Sequence, residues 1–333
     1  MNIVGVDIGG ANLKVARSDG AAWSEPFALW QQPQVLASQL VEQWFAQTPE
    51  VVLATMTGEL CDCYTSRAEG VCHILEQLEA AAGDAALYVW SMAEGFVTAD
   101  RARHAPRDVA SGNWHALASW LAPMWSAGLT LLLDVGSTTS DLIAMRDGRV
   151  TTDSRTDLDR LTRGELVYAG ARRTPIMALT QTLQLNGITH PVVAEHFATM
   201  RDALVVTGDL PEAAEDTDTP DGRAVTKPDA ARRLLRVIGS DFDHHSETEA
   251  RSLAEQCRDC LETRLTTAMQ QVLNEQTPDR IVLSGSGAVV GARAAARLHP
   301  DVPRVTLAER IGEPASDAAC AHALVQIWQR DHA

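Results

Sequence analysis

Residues 5–20 read GVDIGGANLKVARSDG, and residues 132–148 read LLDVGSTTSDLIAMRDG. In each stretch an apolar run ends in Asp, and a Gly follows two residues later. Small or hydroxyl residues come next, then a second apolar run, then Asp-Gly. Asp7 matches Asp134 and Gly9 matches Gly136, at a spacing of 127 positions. The pattern predicts a strand, a tight turn and a second strand, made twice. Such a turn aims successive backbone N–H groups at one point and forms a nest for phosphate oxygens. Either copy alone reads as an ordinary β-hairpin turn; the repetition favours two facing anion-binding loops.

The residue types in the two loops fit that reading. Gly9, Gly10 and Gly136 let the backbone come close to a ligand, and Ser137, Thr138 and Thr139 add hydroxyl donors. Asp7 and Asp134 would repel phosphate directly. They are expected to reach it through Mg²⁺, which keeps much of its water shell. Asn12 and Lys14, on the second strand, are expected to meet phosphate charge. Asp141, in the place equivalent to Lys14, is expected to hold metal-bound water or orient a hydroxyl. A third glycine turn, Gly285-Ser286-Gly287, follows the apolar strand IVLS and opens a helix, a setting that favours anions.

Composition sets the outer bounds. The chain has 333 residues, enough for two domains, and is 45% hydrophobic and 22% charged. Its net charge of −16 argues against nucleic acid, whose binding rests on Lys and Arg contacts to phosphates. No apolar run is long enough to span a bilayer, and MNIVGVDIGG lacks a basic leader, so a cytoplasmic protein with no membrane partner is expected. Lys14 and Lys227 are the only lysines, which draws attention to Lys14. The six cysteines are read as thiols, not disulfides. Cys257-x-x-Cys260 sits in a helical pattern without a second such pair, which disfavours zinc. Cys61, Cys63, Cys72 and His73 are read as ordinary buried thiols beside a histidine.

Hydrophobic periodicity predicts strands at 2–6, 12–17, 22–28, 51–54, 88–90, 130–134, 141–146 and 280–285. Helices are predicted at 34–46, 66–82, 113–125, 192–204, 228–238, 247–275, 288–298 and 315–329. Residues 211–223 are acidic and turn-rich and read as a surface loop. The resulting class is α/β: two related domains, 1–127 and 128–333, with an insertion around 176–245 in the second.

The two Asp-x-Gly loops and the later glycine turn, in this order, resemble the actin/sugar-kinase/Hsp70 superfamily. The resemblance implies duplicated ribonuclease-H-like (actin-like ATPase) domains with an inter-domain cleft. In its terms 7–14 and 134–141 are the phosphate loops, and 281–290 is a degraded adenosine motif. Other segments narrow this: TMTGEL at 55–60, WSMAEGFV at 90–97, NWHALASWLA at 113–122 and RGELVYAGARRTPI at 163–176. With VDIGGANLKVA, this set resembles the hydantoinase/oxoprolinase-related family tied to tetrahydromethanopterin-linked one-carbon transfer. Its archaeal members make (4-{4-[2-(γ-glutamylamino)ethyl]phenoxymethyl}furan-2-yl)methanamine for methanofuran.

The resemblance implies a transferase, not a kinase. Diphosphate leaves an aminomethyl-furan-methyl carbon, and the phenol oxygen of a tyramine or tyrosine moiety takes its place. The partners implied are these two small-molecule substrates, and a homodimer is compatible with them. Mg²⁺, Lys14 and the loops would stabilise the departing diphosphate. A phenol has an ordinary pKa of about 10 and needs a base. Glu59, Asp62 and Glu94 are the candidates, each in a loop after an apolar strand, with Glu59 favoured beside Gly58. Arg172 and Arg173 are read as a diphosphate or carboxylate clamp, or as a solvated surface pair. Tyr168 is read either as a stacking platform or as core, and Trp114, Trp120 and Trp125 as core. The run Asp241-Phe242-Asp243-His244-His245 reads as a loop or helix start, not a metal site. Two other readings stay open on the residues alone: an ATP-dependent small-molecule kinase, in which Glu59 or Asp141 activates a hydroxyl, and a non-catalytic phosphometabolite-binding protein.

Overall fold

The first apolar run becomes the middle of a sheet. The computed structural model describes residues 1–44, 48–244 and 246–332. Its first sheet contains β1 (Ile3–Ile8), β2 (Asn12–Arg17), β3 (Ala22–Pro26), β4 (Val51–Met56), β5 (Ala86–Ser91) and β6 (Gly95–Thr98). The spatial order is β3-β2-β1-β4-β5-β6. β1 pairs antiparallel with β2 and parallel with β4, and β4 runs parallel to β5. Every residue of β1 and β4 is buried, as expected of strands covered on both faces.

Alternation along β1 assigns its faces. Val4, Val6 and Ile8 join a core with Leu36 and Leu40 of helix Leu36–Trp44 and with Val71, Ile74, Leu75 and Leu78 of helix Arg67–Ala82. Each such fully buried side chain contributes roughly 1.5–3 kcal/mol. Gly5 faces the other way, and a Cβ there would stand 2.3 Å from the Ala321 carbonyl oxygen. Helix Ala319–Asp331 therefore lies close on β1, with helix Asn113–Leu121 beside it. Asp7 is on this second face, at the strand's end.

The second sheet contains β7 (Leu129–Val135), β8 (Ser140–Arg146), β9 (Arg149–Val150) and β10 (Leu166–Val167). A separate hairpin follows, β11 (Thr182–Leu185) and β12 (Ile188–Pro191), and then β13 (Arg280–Ser284) and β14 (Arg304–Thr306) complete the sheet. Its order is β10-β8-β7-β13-β14, with β9 added to β8. Both sheets thus place the Asp-ending strand centrally, its hairpin partner on one side and a later strand on the other. This is the duplicated ribonuclease-H-like, actin-like architecture that the repeated loops predict.

The boundary at 127/128 needs correction. One compact unit comprises 1–130, 143–160 and 306–333, and the other 131–142 and 161–305. The chain's end returns to the first unit because the apolar face of helix Ala319–Asp331 is buried on β1 there. That last segment is also two helices, Glu313–Asp317 and Ala319–Asp331, and not one over 315–329. The helix expected at 192–204 runs Met200–Thr207, because Thr199 and Asp202 form a capping box that starts it there. Strand β6 and helix Ala99–His104 were too short for the periodicity to show. Residues 45–47, at the end of the helix predicted over 34–46, and His245, in the 241–245 run, lie outside the described residues. Phe242–His244 form a short 3-10 turn.

The acidic loop 211–223 is tied down. Arg233, fully buried, bonds Asp202 at 2.8 Å and Asp221 at 2.9 Å, and Arg201 pairs with Asp216. Among the described residues no helix is long and apolar enough to cross a membrane.

Candidate functional site

The two turns share their hydrogen bonds as well as their sequence. Gly9 N–H donates to the Asn12 carbonyl at 3.0 Å, and Gly136 N–H to the Thr139 carbonyl at 2.9 Å. The carbonyl after each Asp accepts from the turn that follows the neighbouring strand: Thr57 N–H to Ile8 at 2.9 Å, Gly287 N–H to Val135 at 2.8 Å. The next turn carbonyl is also matched. Gly10 accepts from Leu29 N–H at 3.0 Å, and Ser137 from Arg172 and Arg173 N–H at 3.0 and 2.9 Å. Each equivalent pair of turn residues is 127 positions apart, as in the sequence.

Side chains then separate the two turns. Asp7 is buried and stands directly opposite Lys14 on β2 and Thr55 on β4. Asp134 is half-buried, and the place of Lys14 is taken by Asp141, opposite Leu166 on β10. Asn12, Lys14 and residues 136–139 are all half-buried, so both loops are open to a small ligand. Arg172 and Arg173 are exposed beside Ser137, held there through their own backbone. Gly285, with φ of +83°, lets the chain pass where a Cβ would be 2.3 Å from the Val135 carbonyl oxygen and 2.4 Å from Asp134 Oδ1. Gly287 caps helix Ala288–Leu298, so the third glycine turn does open a helix.

The first unit also holds a buried acid. Glu59 sits in the 3-10 turn Gly58–Leu60 after β4 and is 1% exposed. Gly58 lies against the first turn: a Cβ there would be 3.3 Å from the carbonyl oxygens of Ile8 and Gly9. Glu59 Oε1 accepts from Ser111 Oγ at 2.9 Å, while Oε2 is buried with no protein partner among the described residues. Burial pushes the Glu59 carboxyl above its usual value; its own backbone, Ser111 and Arg67 oppose the rise, and Asp157 adds to it. Ser111 Oγ is also 3.4 Å from Asp157 Oδ2, which Arg67 holds at 2.7 Å. Arg160, 2% exposed, lies behind Asp157 and over the Trp114 ring at 4.3 Å.

The other candidate bases are placed elsewhere. Asp62 is exposed, and Glu94 is exposed and paired with Arg101. Of the three, only Glu59 is buried. Tyr168 is 56% exposed, which removes the core reading, and Trp125 is only half-buried, whereas Trp114 and Trp120 are core. Of the cysteines only Cys257 and Cys320 are buried; Cys63 is exposed, and Cys61 and Cys72 are half-buried, which corrects the expectation of buried thiols around His73. Among the described residues no three His, Cys, Asp or Glu side chains form a metal cage. A cavity of about 200 Å³ in the second unit, lined by residues such as Lys227, Phe242 and Arg251, includes none of the turn residues.

Thr55, Arg67, Ser111, Asp157 and Arg160 were absent from the sequence reading. Ser111 precedes Gly112 in what reads as a plain loop. Asp157 lies in a polar stretch that no spacing links to Glu59. The one local signal was TMTGEL, which carries Thr55 four residues before Glu59.

A relative from Methanocaldococcus jannaschii, named (4-{4-[2-(gamma-L-glutamylamino)ethyl]phenoxymethyl}furan-2-yl)methanamine synthase, is 30% identical over 86% of this chain and 86% of its own length. A protein of the same name from Methanococcus vannielii is 29% identical over 56% of this chain and 84% of its own. Among solved structures, a ROK family glucokinase from Streptomyces griseus aligns with 98% of this chain and 99% of its own, at 10% identity and a TM-score of 0.48. The family model for hydantoinase/oxoprolinase matches residues 50–325. The chain is an enzyme homologue with an actin-like fold, and it belongs to the hydantoinase/oxoprolinase family.

Proposed function

We propose that the protein is a synthase of methanofuran or a methanofuran analogue, joining an aminomethyl-furan-methyl diphosphate to the phenol oxygen of a tyramine or tyrosine moiety. The observation that carries the reading is a buried carboxyl group, Glu59, with one oxygen lacking a protein partner among the described residues, in a turn packed against the Gly9 loop. The named relatives support the substrate class.

In the reaction, the bond between the furan-bearing CH₂ and the diphosphate oxygen breaks, and its electron pair leaves with diphosphate. The phenol oxygen forms the new bond to that carbon, and its proton passes to Glu59. An electron-rich furan tolerates positive charge on the carbon, so the main demand is to stabilise the leaving group. In the first unit Lys14 and the backbone N–H groups of the Gly9 turn, and in the second those of the Gly136 turn with Arg172 and Arg173, are each suited to that task. The raised proton affinity of Glu59 brings a carboxylate nearer to what a phenol requires. Each turn offers one carboxylate, Asp7 or Asp134, and hard oxygen donors of this kind suit hydrated Mg²⁺. When bound, Mg²⁺ would neutralise charge on the departing diphosphate.

Incubation with the furan-methyl diphosphate and a set of phenolic amines tests the reading. Diphosphate release with the mass of the aryl ether is expected. Calorimetry gives a second check: pyrophosphate–Mg²⁺ should bind, and tight ATP–Mg²⁺ binding without pyrophosphate binding would overturn the proposal in favour of a kinase.

A further inference from the structure

Ser111 has one hydroxyl hydrogen and stands between two carboxylates, 2.9 Å from Glu59 Oε1 and 3.4 Å from Asp157 Oδ2. It is a buried residue with φ of +49°, a left-handed conformation that costs a non-glycine side chain on the order of 1 kcal/mol or more. Its neighbour Gly112 lies beside Thr55, where a Cβ would be 3.7 Å from Thr55 Oγ1. The strained backbone thus carries the hydroxyl to one oxygen of Glu59, while Oε2 stays buried with no protein partner among the described residues.

We propose that Ser111 is the positioning residue for Glu59, and that Asp157, fixed by Arg67, in turn positions Ser111. The inference rests on the reading of Glu59 as proton acceptor. The chain of contacts is Arg67 Nη2 to Asp157 Oδ2, Asp157 Oδ2 to Ser111 Oγ, and Ser111 Oγ to Glu59 Oε1. Besides the turn Gly58–Leu60 that carries Glu59, it draws on three separate segments: helix Arg67–Ala82, the loop before helix Asn113–Leu121, and helix Asp157–Arg163. The charged groups acting on Glu59 are Arg67 from the first of these and Asp157 from the last, with Arg160 behind Asp157.

While Glu59 is ionised, Ser111 donates its hydrogen to Oε1 and fixes the carboxylate, with Oε2 as the oxygen not engaged by the protein among the described residues. Asp157 cannot donate when ionised, and its bond to Arg67 keeps it in place as the alternative acceptor for the same hydrogen. Ser111 therefore has two defined orientations and no free one. That accounts for a buried pair of acids around a single hydroxyl.

Ser111→Gly and Asp157→Asn test the proposal; the glycine variant relieves the strain at φ +49° and so should fold. Each variant's kcat is expected to fall about tenfold, the cost of a lost bond to a charged group, with KM within about twofold. The acid limb of the pH–kcat/KM profile should move to higher pH in Ser111→Gly, which loses a bond to ionised Glu59. It should move to lower pH in Asp157→Asn, which removes a neighbouring negative charge. Infrared titration of the Glu59 carboxyl band, identified by its loss in Glu59→Gln, should show the same two shifts without any turnover. Unmoved titration in both folded variants overturns the proposal. Full activity of Glu59→Gln would instead sink the reading of Glu59 as proton acceptor, while the infrared shifts would still decide whether Ser111 and Asp157 hold it.

Discussion

The turn at Gly9 and the turn at Gly136 share one backbone and differ in what the backbone presents. Three hydrogen bonds recur with their acceptors on the turns shifted by 127 positions, so the duplication survives at the level of peptide groups. On the first turn a lysine faces the buried Asp7, and the next strand delivers Glu59. On the second, Asp141 replaces the lysine, the next strand delivers only Gly285-Ser286-Gly287, and the returning segment presents Arg172 and Arg173 where the first unit buries Leu29. Backbone geometry was kept because a nest needs N–H groups in fixed directions, whatever the side chains. Side chains were free to diverge, and under the proposed function both turns bind anion while only the first adds a proton acceptor.

The sharpest way to break this contrast is at Glu59. Glu59→Gln is expected to lower kcat by about 10²- to 10⁴-fold, the usual yield of general base catalysis, measured by diphosphate release. An equal loss in Asp141→Asn would erase the distinction between the turns. Lys14→Ala should come next, at about 10²-fold in kcat, because it removes a charge from the leaving group. Arg172→Ala is expected to act more weakly and mainly on KM for the diphosphate substrate, about tenfold, since the side chain is exposed.

Two stability measurements sharpen the comparison from the other side. Gly285→Ala places a Cβ 2.3 Å from a carbonyl oxygen at a positive φ, and should destabilise by about 1–3 kcal/mol in denaturant unfolding. The smallest effect expected is a pH dependence. The folded-state pKa of Glu59 lies above its ordinary value of 4.5, so between those two values the folded protein binds more protons than the unfolded one. Stability from this group therefore falls as pH rises through that window, and the cost is fully present above it. Glu59→Gln should accordingly raise Tm at neutral pH relative to the parent protein, and by less near pH 4.5. A variant less stable at neutral pH would contradict the desolvated, buried acid.

Much of this was legible in the sequence where the signal is local. The turns, their Asp and Gly residues, β2 and helix Ala288–Leu298 came out at or near their observed bounds, because strand alternation and turn chemistry are decided within a few residues. TMTGEL directed attention to Glu59 without revealing that it is buried. Asp62 and Glu94 also follow apolar strands, and only the neighbouring Gly58 favours Glu59 over them in the sequence. Burial separates them, and burial depends on what the rest of the chain packs against each loop.

The sequence by itself determined the duplicated Asp-x-Gly loops, the α/β class and the family, because these rest on short-range pattern and on residue identity. Only the tertiary structure decided that residues 306–333 complete the first unit, and that Arg67, Ser111 and Asp157 gather around Glu59. These groups come from segments up to 98 positions apart. No periodicity connects them, and only the packing of helices on the first sheet brings their polar atoms within hydrogen-bond reach.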